Sequence, residues 1–233
     1  MRWLSSAAKT LRDLGARHAA LYWLDKVVAT PTRGGVRLRH YLFVTQRLKQ
    51  RPAATDANFV VRPLVGDDPV TAQFPVSAAV VRRRLEQGST CLVASLDGHF
   101  AGYLWFHLGP YQEDEVRCRF VPWPAGRVAW DFDVYIVPRL RATRAFSRLW
   151  QAAERQLLGL GTTHSASRIA SYNAASVRSH LRSGAVVSGS AIFLTIGRAQ
   201  IMIAPGGVPR STSCTWTSEP ELRVAIPKDE QQT

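Results

Sequence analysis

The feature that most constrains the fold is a strand pattern that leads directly into an arginine-rich turn and then into a helical pattern. The strand pattern, RVAWDFDVYIV, covers residues 127–137 and combines bulky apolar residues with two aspartates. A proline follows, and Arg139, Arg141 and Arg144 then fall within six residues. Residues 143–161 place apolar side chains at helical spacing. A helix start flanked by arginines favours phosphate binding, and the alternative is a solvated basic loop that binds nothing.

The charge of the chain favours an anionic partner. The 233 residues are 46% hydrophobic and carry a formal net charge of +13. Residues 1–57 hold eleven Lys and Arg against three Asp and Glu. A surface of this kind attracts nucleotides, nucleic acid, acidic glycans or membranes. We expect no nucleic-acid partner, because residues 1–57 contain no recognised motif and no interleaving of aromatic and basic residues.

The cysteines indicate neither a metal site nor a disulfide framework. Cys91, Cys118 and Cys214 are far apart and odd in number, and no CxxC pair occurs. The start of the chain, MRWLSSAAKTLRDLG, carries charges where a signal peptide would be apolar. No apolar run approaches a membrane-spanning length. We therefore expect a cytoplasmic protein without a bound metal.

Residues 1–57 are predicted to form a helix-strand extension. Apolar residues recur at helical spacing between Leu4 and Val28, with basic residues on the other side. We expect this amphipathic helix to pack against the domain; a basic helix on a membrane surface is the less favoured alternative. A strand is predicted for residues 36–48 and a linker for residues 49–57.

From residue 58 to residue 203 the chain alternates between strand and helix patterns. The predicted strands cover residues 58–64, 115–122, 127–137, 167–172 and the stretch after 184. The predicted helices cover residues 76–88, 143–161 and 173–184, the last with Asn173 as N-cap and Gly184 at its end. A hairpin at residues 90–109 turns at Asp97-Gly98. Residues 204–233 are rich in Pro, Gly, Ser and Thr, so we expect a disordered tail.

This order of elements resembles the GNAT superfamily of acetyl-CoA-dependent N-acetyltransferases. The resemblance implies an α+β fold with a central mixed, mostly antiparallel sheet flanked by helices. In that family the fourth strand ends in Val-x-Pro before an Arg/Gln-x-x-Gly-x-Gly/Ala turn, and Ile136-Val137-Pro138 and Arg141 match the first parts. The family's Asn-led helix corresponds to the helix that starts at Asn173. The implied acetyl-CoA site comprises Ile136, Val137, Arg141, Ala142, Thr143, Arg144, Ala145, Phe146 and Asn173.

The motifs depart from the family pattern at three positions. Arg144 and Phe146 replace the two loop glycines, which let the backbone approach the pyrophosphate without a Cβ. His180 stands where the family often has a tyrosine that protonates the departing thiolate, and a histidinium can donate that proton near neutral pH. Alternatively, His180 is an ordinary surface residue.

Two aspartates on the predicted fourth strand are candidate catalytic residues. Acetyl transfer needs a neutral amine, and members of the family often supply a carboxylate or histidine on this strand. Asp131 and Asp133 are expected to share one face of the strand. We favour Asp133 as the base because it lies nearer the predicted cofactor end. The alternative is an ion pair with Arg117 or Arg119 on a neighbouring strand.

The loop YQEDEV, residues 111–116, is the one acidic cluster in a basic chain. Glu113, Asp114 and Glu115 are predicted to hold a cationic amine, and the alternative is a solvated hairpin tip. The sequence thus predicts an N-acetyltransferase that uses acetyl-CoA and an amine acceptor of unknown identity, with a homodimer left open. The alternative is a non-catalytic GNAT-like module that binds CoA or an acidic partner.

Overall fold

The computed structural model describes residues 35–52, 57–141, 143–205 and 211–227. This part of the chain contains three α-helices, α1 (Ala78–Glu86), α2 (Ala145–Gly159) and α3 (Ala174–Arg182). Its strands are β1 (Val36–Arg47), β2 (Phe59–Pro63), β3 (Thr90–Leu96), β4 (His99–Leu108), β5 (Tyr111–Gln112), β6 (Arg119–Trp123), β7 (Val128–Ile136), β8 (His164–Ala170), β9 (Val186–Ile196), β10 (Ala199–Ala204), β11 (Ser211–Thr215) and β12 (Glu221–Ala225). The helix predicted between Leu4 and Val28 lies outside the described residues. The α+β class and the mostly antiparallel strand pairing are confirmed.

The chain divides into two compact units. In the described residues, unit 1 comprises 35–46, 112–124, 166–205 and 211–227, and unit 2 comprises 47–52, 57–111, 125–141 and 143–165. The division differs from the predicted boundary at residues 49–57, since both units combine segments that are distant in the sequence. The reason is strand pairing: β1 lies between β8 and β9 in the sheet of unit 1.

Unit 2 is built on the antiparallel strands β7, β4, β3 and β2, in that order. Alternate residues of β4 pack in two hydrophobic clusters, because successive side chains of a strand point to opposite faces of the sheet. Leu104 and Phe106 pack in a cluster with Leu149 and Leu157 of α2. Tyr103 and Trp105 pack in a second cluster, which also contains a residue of α1. Both faces of β4 are therefore buried, and its position is set by apolar packing.

The predicted hairpin at residues 90–109 is confirmed. β3 and β4 pair antiparallel, with Leu96 opposite His99. Asp97 and Gly98 have φ angles of 50° and 77°, which is the conformation of a two-residue type I′ turn. On the opposite edge of β4, Gly102 lies opposite Ile136 of β7. A Cβ on Gly102 would overlap the carbonyl oxygen of Tyr135, so glycine permits the close approach of these strands.

Unit 1 contains the strand order β11-β10-β9-β1-β8. β1 runs antiparallel to β9 from Val36 opposite Ile196 to Thr45 opposite Val186. Aromatic contacts hold its buried face, because the Phe43 ring packs edge-on against Phe120 and the Tyr41 ring lies against Phe193. The predicted strand of residues 36–48 is thus an inner strand of this unit.

The tail expected to be disordered contains two strands. β11 pairs with β10, and β12 pairs in parallel with β6. The physical reason is that Leu222, Val224 and Ile226 alternate along the chain and are all buried. The overall composition of the tail does not reveal this alternation. Arg117 secures the same region, since its guanidinium donates to the carbonyl oxygens of Arg198 and Thr215 at 2.6 and 3.1 Å.

Candidate functional site

The arginine-rich turn is exposed and leads into α2 as predicted. Pro138–Leu140 form a single 3₁₀ turn, and the side chains of Arg139, Arg141 and Arg144 are exposed. Arg141 is partly engaged, because its Nε donates to the carbonyl oxygen of Ile136 at 3.1 Å and its guanidinium lies 5.9 Å from the centre of the Tyr135 ring. Ala142 lies outside the described residues.

The start of α2 carries no side-chain cap. Arg144 is the N-cap residue and makes no capping hydrogen bond through its side chain. Thr143 accepts from the backbone N–H of Ala145 at 3.2 Å. The first-turn N–H groups of a helix have no partners within the helix, and they lie at the positive end of its dipole. This turn therefore combines backbone donors with exposed guanidinium groups, which fits a phosphate group.

Phe146 occupies a loop-glycine position of the family without projecting its ring into the turn. Its side chain packs against the α2 cluster, and its ring stacks on Trp150 at 6.5 Å. The backbone N–H of Phe146 still belongs to the first turn of α2. The large side chain at this position is thus accommodated by the core.

Asp133 is held by two donors from neighbouring elements of unit 2. Arg84 Nη1 on α1 donates to Asp133 Oδ2 at 2.6 Å, and the Tyr103 hydroxyl on β4 donates to the same oxygen at 3.1 Å. Among the described residues, none bonds the other oxygen, Oδ1. The Asp133 side chain is 25% exposed, whereas that of Arg84 is 8% exposed. An ion pair exists at this position, but its partner is Arg84 and not the predicted Arg117 or Arg119.

The Arg84 side chain is fixed by aromatic rings. Its guanidinium carbon lies 5.5 Å from the centre of the Trp105 ring and 5.1 Å from that of Phe132. Burial raises the pKa of the Tyr103 hydroxyl, and the negative charge of Asp133 raises it further. Tyr103 therefore acts as a neutral hydrogen-bond donor to Asp133.

The expectation that Asp131 and Asp133 share one face of the strand is wrong. Asp133 lies opposite Trp105, but Asp131 lies opposite Phe106, because the register shifts by one residue between these pairs. Residues directly opposite in a strand pair share a face. Trp105 packs in the cluster with α1 and Phe106 in the cluster with α2. This β-bulge sends the two carboxylates to opposite faces, and Asp131 is buried.

The acidic loop of unit 1 is a charge network and not a solvated hairpin tip. Glu113 has a side chain only 2% exposed, and its Oε1 accepts from Arg168 Nη2 of β8 at 2.6 Å. Glu115 is half exposed; its Oε2 accepts from the Tyr41 hydroxyl at 2.6 Å and lies 3.4 Å from Arg168 Nη2. Arg168 also lies over the Tyr41 ring, at 4.5 Å. Of the predicted acceptor ligands, Glu113 is therefore already neutralised by an internal arginine.

The network shifts several pKa values. Burial raises the pKa of the Glu115 carboxyl, but Arg168 and the Tyr41 hydrogen bond outweigh it, so the net pKa lies below its usual value. Burial raises the pKa of the Tyr41 hydroxyl. Burial lowers the pKa of Arg168, but Glu113 more than compensates and the net pKa is raised. Asp114, the third residue of the cluster, is half-buried.

Helix α3 presents Asn173 and His180. Asn173 caps the helix, since its Oδ1 accepts from the backbone N–H of Ser176 at 3.1 Å. His180 is half-buried, and its Nδ1 lies 2.8 Å from the carbonyl oxygen of Ser176. With the proton assigned to Nδ1, this bond leaves Nε2 as the nitrogen able to exchange protons. Gly184, with φ of 95°, ends the helix: its N–H donates to Leu181, and that of Ala185 donates to His180.

The predicted site residues are divided between the two units. Asp133 and the described residues of the arginine turn belong to unit 2, whereas Asn173, His180 and the acidic loop belong to unit 1. The residues that sequence reasoning missed are Arg84, Tyr103, Tyr41 and Arg168. Arg84 carried a weak signal, because an arginine within the apolar repeat of a predicted helix implies a buried partner. The others are recognisable only from cross-strand position.

The comparisons with known proteins agree on the fold. The Acetyltransferase (GNAT) family model matches residues 62–185, which is more than half of the chain. The chain belongs to the GNAT acetyltransferase family. A comparison with curated protein sequences gave no match.

Three solved GNAT-type structures illustrate the structural likeness. A tandem GNAT protein from the clavulanic acid biosynthesis pathway is 13% identical, with a TM-score of 0.50, over 77% of this chain and 58% of that protein. An aminoglycoside acetyltransferase, meta-AAC0020, from an uncultured soil metagenomic sample is 12% identical (TM-score 0.39) over 55% of this chain and 88% of its own. AAC(6')-Iy in complex with the bisubstrate analog CoA-S-monomethyl-acetylneamine is 16% identical (TM-score 0.41) over 55% and 90%. This chain thus spans little more than half of the tandem protein.

No three His, Cys, Asp or Glu side chains among the described residues are grouped so that they could hold a metal ion. Nor do the helices of this part of the chain include one with the length and apolar character needed to cross a bilayer.

Proposed function

We propose that this GNAT protein is an N-acetyltransferase that moves an acetyl group from acetyl-CoA to a primary amine. The observation that carries the proposal is the state of Asp133. One carboxylate oxygen is held by Arg84 and Tyr103, while the other has no partner among the described residues and the side chain remains partly exposed. A carboxylate fixed in this way has one oxygen free to accept a hydrogen bond from an incoming amine.

The arginine turn supports acetyl-CoA as the co-substrate. The exposed guanidinium groups of Arg141 and Arg144 and the backbone N–H of Phe146 suit the CoA pyrophosphate, and Ala145 lies beside them with its N–H bonded to Thr143. Ile136, Val137 and Thr143 are the other described members of the predicted contact set in unit 2, and Asn173 belongs to unit 1. From Asp133 to Pro138, an extended strand covers about 17 Å, so the turn and the carboxylate lie well apart along one strand, as reaction at the far end of the long pantetheine arm requires.

The proposed reaction is a direct acetyl transfer. The lone pair of the neutral amine attacks the thioester carbonyl carbon, and a C–N bond forms. Asp133 accepts the proton that the nitrogen loses as it acquires positive charge. The C–S bond then breaks, and the departing thiolate sulfur takes up a proton, for which the resemblance to the family gives His180 as the donor. Asp133 and this donor each recover their starting protonation from solvent, so the products are an N-acetylated amine and free CoA thiol.

The acceptor contact is proposed at Glu115. Of the three acidic residues, Glu115 alone combines an exposed carboxylate with fixed neighbours. Glu113 and Asp114 contribute indirectly to this contact: Glu113 holds Arg168 in place, and Asp114 adds negative charge. Glu115 would attract an amine-bearing acceptor.

The test begins with a screen of primary amines for acetyl-CoA-dependent thiol release. For an amine that reacts, Asp133→Asn should lower kcat/KM by roughly 10²-fold, as is typical of losing a positioned general base. The loss should persist at high pH, because Asp133 takes the proton only after the neutral amine has attacked. His180→Phe should slow turnover and leave acetyl-CoA affinity nearly unchanged, because its proposed contact forms only as the thiolate leaves.

Matched controls lie on exposed positions of the same chain. Asp67→Asn and His99→Phe change the same residue types at exposed sites of unit 2 and should keep wild-type rates. If Asp133→Asn and His180→Phe also keep wild-type rates across pH, the catalytic assignment is wrong. If acetyl-CoA binds in calorimetry but no amine releases thiol, the chain is a non-catalytic CoA-binding module.

A further inference from the structure

The arrangement around Asp133 bears on the kind of amine that the site accepts. This inference rests on the proposed acetyltransferase function and deepens it. Asp133 does not face the site as an isolated negative charge, because Arg84 Nη1 lies 2.6 Å from its Oδ2. The two charges cancel to first order, so an approaching ammonium meets both the attraction of Asp133 and the repulsion of Arg84.

The position of Arg84 is fixed. Its side chain is 8% exposed and lies against the Trp105 and Phe132 rings. A buried guanidinium cannot be neutralised by losing its proton in a protein, and its packing prevents it from swinging away from Asp133. The positive charge beside the carboxylate is therefore a permanent property of the site.

Tyr103 and Cys91, two described neighbours of Asp133, add no negative charge to compensate Arg84. Tyr103 of β4 donates its hydroxyl to Oδ2, and burial raises the pKa of this hydroxyl. Burial likewise raises the pKa of the Cys91 thiol on β3, which lies near Asp133, so the thiol stays neutral. Phe74 and Tyr135 extend the ring contacts of Tyr103. Moving an ammonium from water to such aromatic surroundings without an unpaired counter-charge is unfavourable.

We propose that the Arg84–Asp133 pair makes the enzyme selective for weakly basic primary amines, such as the α-amine of a peptide, over strongly basic amines of the lysine type. The amine has to arrive in its neutral form, because a carboxylate already paired with Arg84 does not draw the proton from a free ammonium ion. Asp133 instead takes the proton only after attack, when the nitrogen has become strongly acidic.

The size of the expected selectivity follows from the amine populations. A peptide α-amine has a pKa of about 7.8, so about one molecule in seven is neutral at pH 7. A lysine ε-amine has a pKa of about 10.4, so only about one in 2,500 is neutral at that pH. The neutral fraction of the α-amine thus exceeds that of the ε-amine roughly 350-fold at pH 7, and at pH 9 this ratio falls to roughly 25-fold. The preference for the α-amine should therefore narrow by about 14-fold over these two pH units.

The experiment compares two peptides of otherwise identical sequence. One has a free N-terminus and no lysine; the other has an acetylated N-terminus and a single lysine. Wild-type protein should prefer the α-amine at pH 7, and kcat/KM for the ε-amine should rise close to tenfold per pH unit up to pH 9. Equal or better use of the ε-amine at pH 7, or a flat pH profile, would overturn the inference, since either result means that the site itself deprotonates the ammonium.

Variants of Arg84 test the cause. Arg84→Gln removes the charge and leaves Asp133 unpaired, so the preference for the α-amine at pH 7 should narrow at least tenfold. Arg84→Lys retains the charge and should keep the preference within about threefold of wild type. Arg82→Gln, at an exposed position of the same helix, is the matched control. An unchanged preference for the α-amine in folded Arg84→Gln protein contradicts the proposal. If that variant does not fold, the wild-type pH profile is the test: a rise close to tenfold per pH unit supports the proposal, and a flat profile contradicts it.

The outcomes separate this inference from the proposed function. If small amines cause release of CoA thiol from acetyl-CoA but neither peptide does, the assigned amine class is wrong and the acetyltransferase function stands. No thiol release from any amine, with acetyl-CoA still bound, removes the acetyltransferase function itself.

Discussion

At the residue scale, Arg168 is the side chain on which the charge network of unit 1 depends. Its guanidinium contacts the buried Glu113 and the half-exposed Glu115 and lies over the Tyr41 ring. Removing one partner of a buried ion pair leaves the other charge without compensation, which costs far more than the loss of an exposed pair. This network also fixes the position of Glu115, the proposed acceptor contact.

Arg168→Met should destabilise the protein by about 3–5 kcal/mol, because Glu113 then remains buried without a counter-charge. The matched control is Arg119→Met, which removes the exposed Arg119–Glu221 contact of 3.7 Å and should cost no more than about 1 kcal/mol. Urea unfolding of both variants gives the two free energies. Equal costs would mean that the Glu113–Arg168 pair contributes no more than a surface pair.

The depressed pKa of Glu115 predicts a pH dependence of stability. A carboxyl whose folded-state pKa lies below its ordinary value of 4.5 stabilises the fold above that pH, and the contribution disappears as the pH falls through the folded-state pKa. Glu115→Gln should therefore be less stable than wild type near pH 6, and the difference should vanish as the pH falls through the folded-state pKa of Glu115. Denaturant unfolding at several pH values measures it. A difference that persists unchanged at low pH would show that packing of the side chain, and not its charge, stabilises the fold.

At the element scale, the turn between β7 and α2 and the end of α3 position the groups assigned to catalysis and cofactor binding. β7 carries Asp133 and ends in the exposed arginine turn. The end of α3 is set by Gly184, whose positive φ allows the hydrogen bond from Ala185 to His180. Backbone geometry at these two termini therefore decides where side chains of otherwise ordinary sequence are presented.

The double variant Arg141→Ala with Arg144→Ala should weaken acetyl-CoA binding by about 1–3 kcal/mol, through the loss of charge-assisted contacts to the pyrophosphate. Calorimetric titration measures the affinity. Arg155→Ala, an exposed arginine farther along α2, is the control and should bind normally. An affinity unchanged in the double variant would remove this turn as the pyrophosphate site.

At the scale of the whole molecule, segments from the two ends of the described chain complete unit 1. β1 pairs with β9 in its sheet, and β12 pairs with β6. β1 of the predicted extension and β11 and β12 of the predicted tail are therefore parts of a folded unit, each held by a ladder of backbone hydrogen bonds. The expected cytoplasmic location and the homodimer stay predictions.

Deleting residues 1–30 should lower the melting temperature and leave binding to anionic vesicles negligible in both forms. The reason is the apolar stripe of the predicted helix between Leu4 and Val28, since burying such side chains against the domain stabilises it by about 1.5–3 kcal/mol for each fully buried one. Thermal unfolding and vesicle co-sedimentation measure the two quantities. Strong vesicle binding by the intact chain, lost on deletion, would assign the stripe to a membrane surface instead.

The sequence by itself determined the local elements of this protein. Helical spacing located α2, the Asp97-Gly98 pair located the hairpin turn, and Asn173 and Gly184 marked the two ends of α3. The strand–turn–helix pattern around Arg141 also led to the GNAT family, which the family model confirms. These features depend on backbone conformation and on the periodicity of adjacent residues, and both are properties of short stretches of sequence.

Only the tertiary structure decided which side chains meet. A bulge in β7 placed Asp131 and Asp133 on opposite faces, and α1 brought Arg84 to Asp133 across 49 positions of sequence. Pairing of β8 with β1 placed Arg168 beside Tyr41. Pairing of β12 with β6 made a strand of residues that the composition had predicted to be a disordered tail. Such partners depend on strand register and on the packing of distant elements, because a shift of one residue reverses the face of every side chain that follows it.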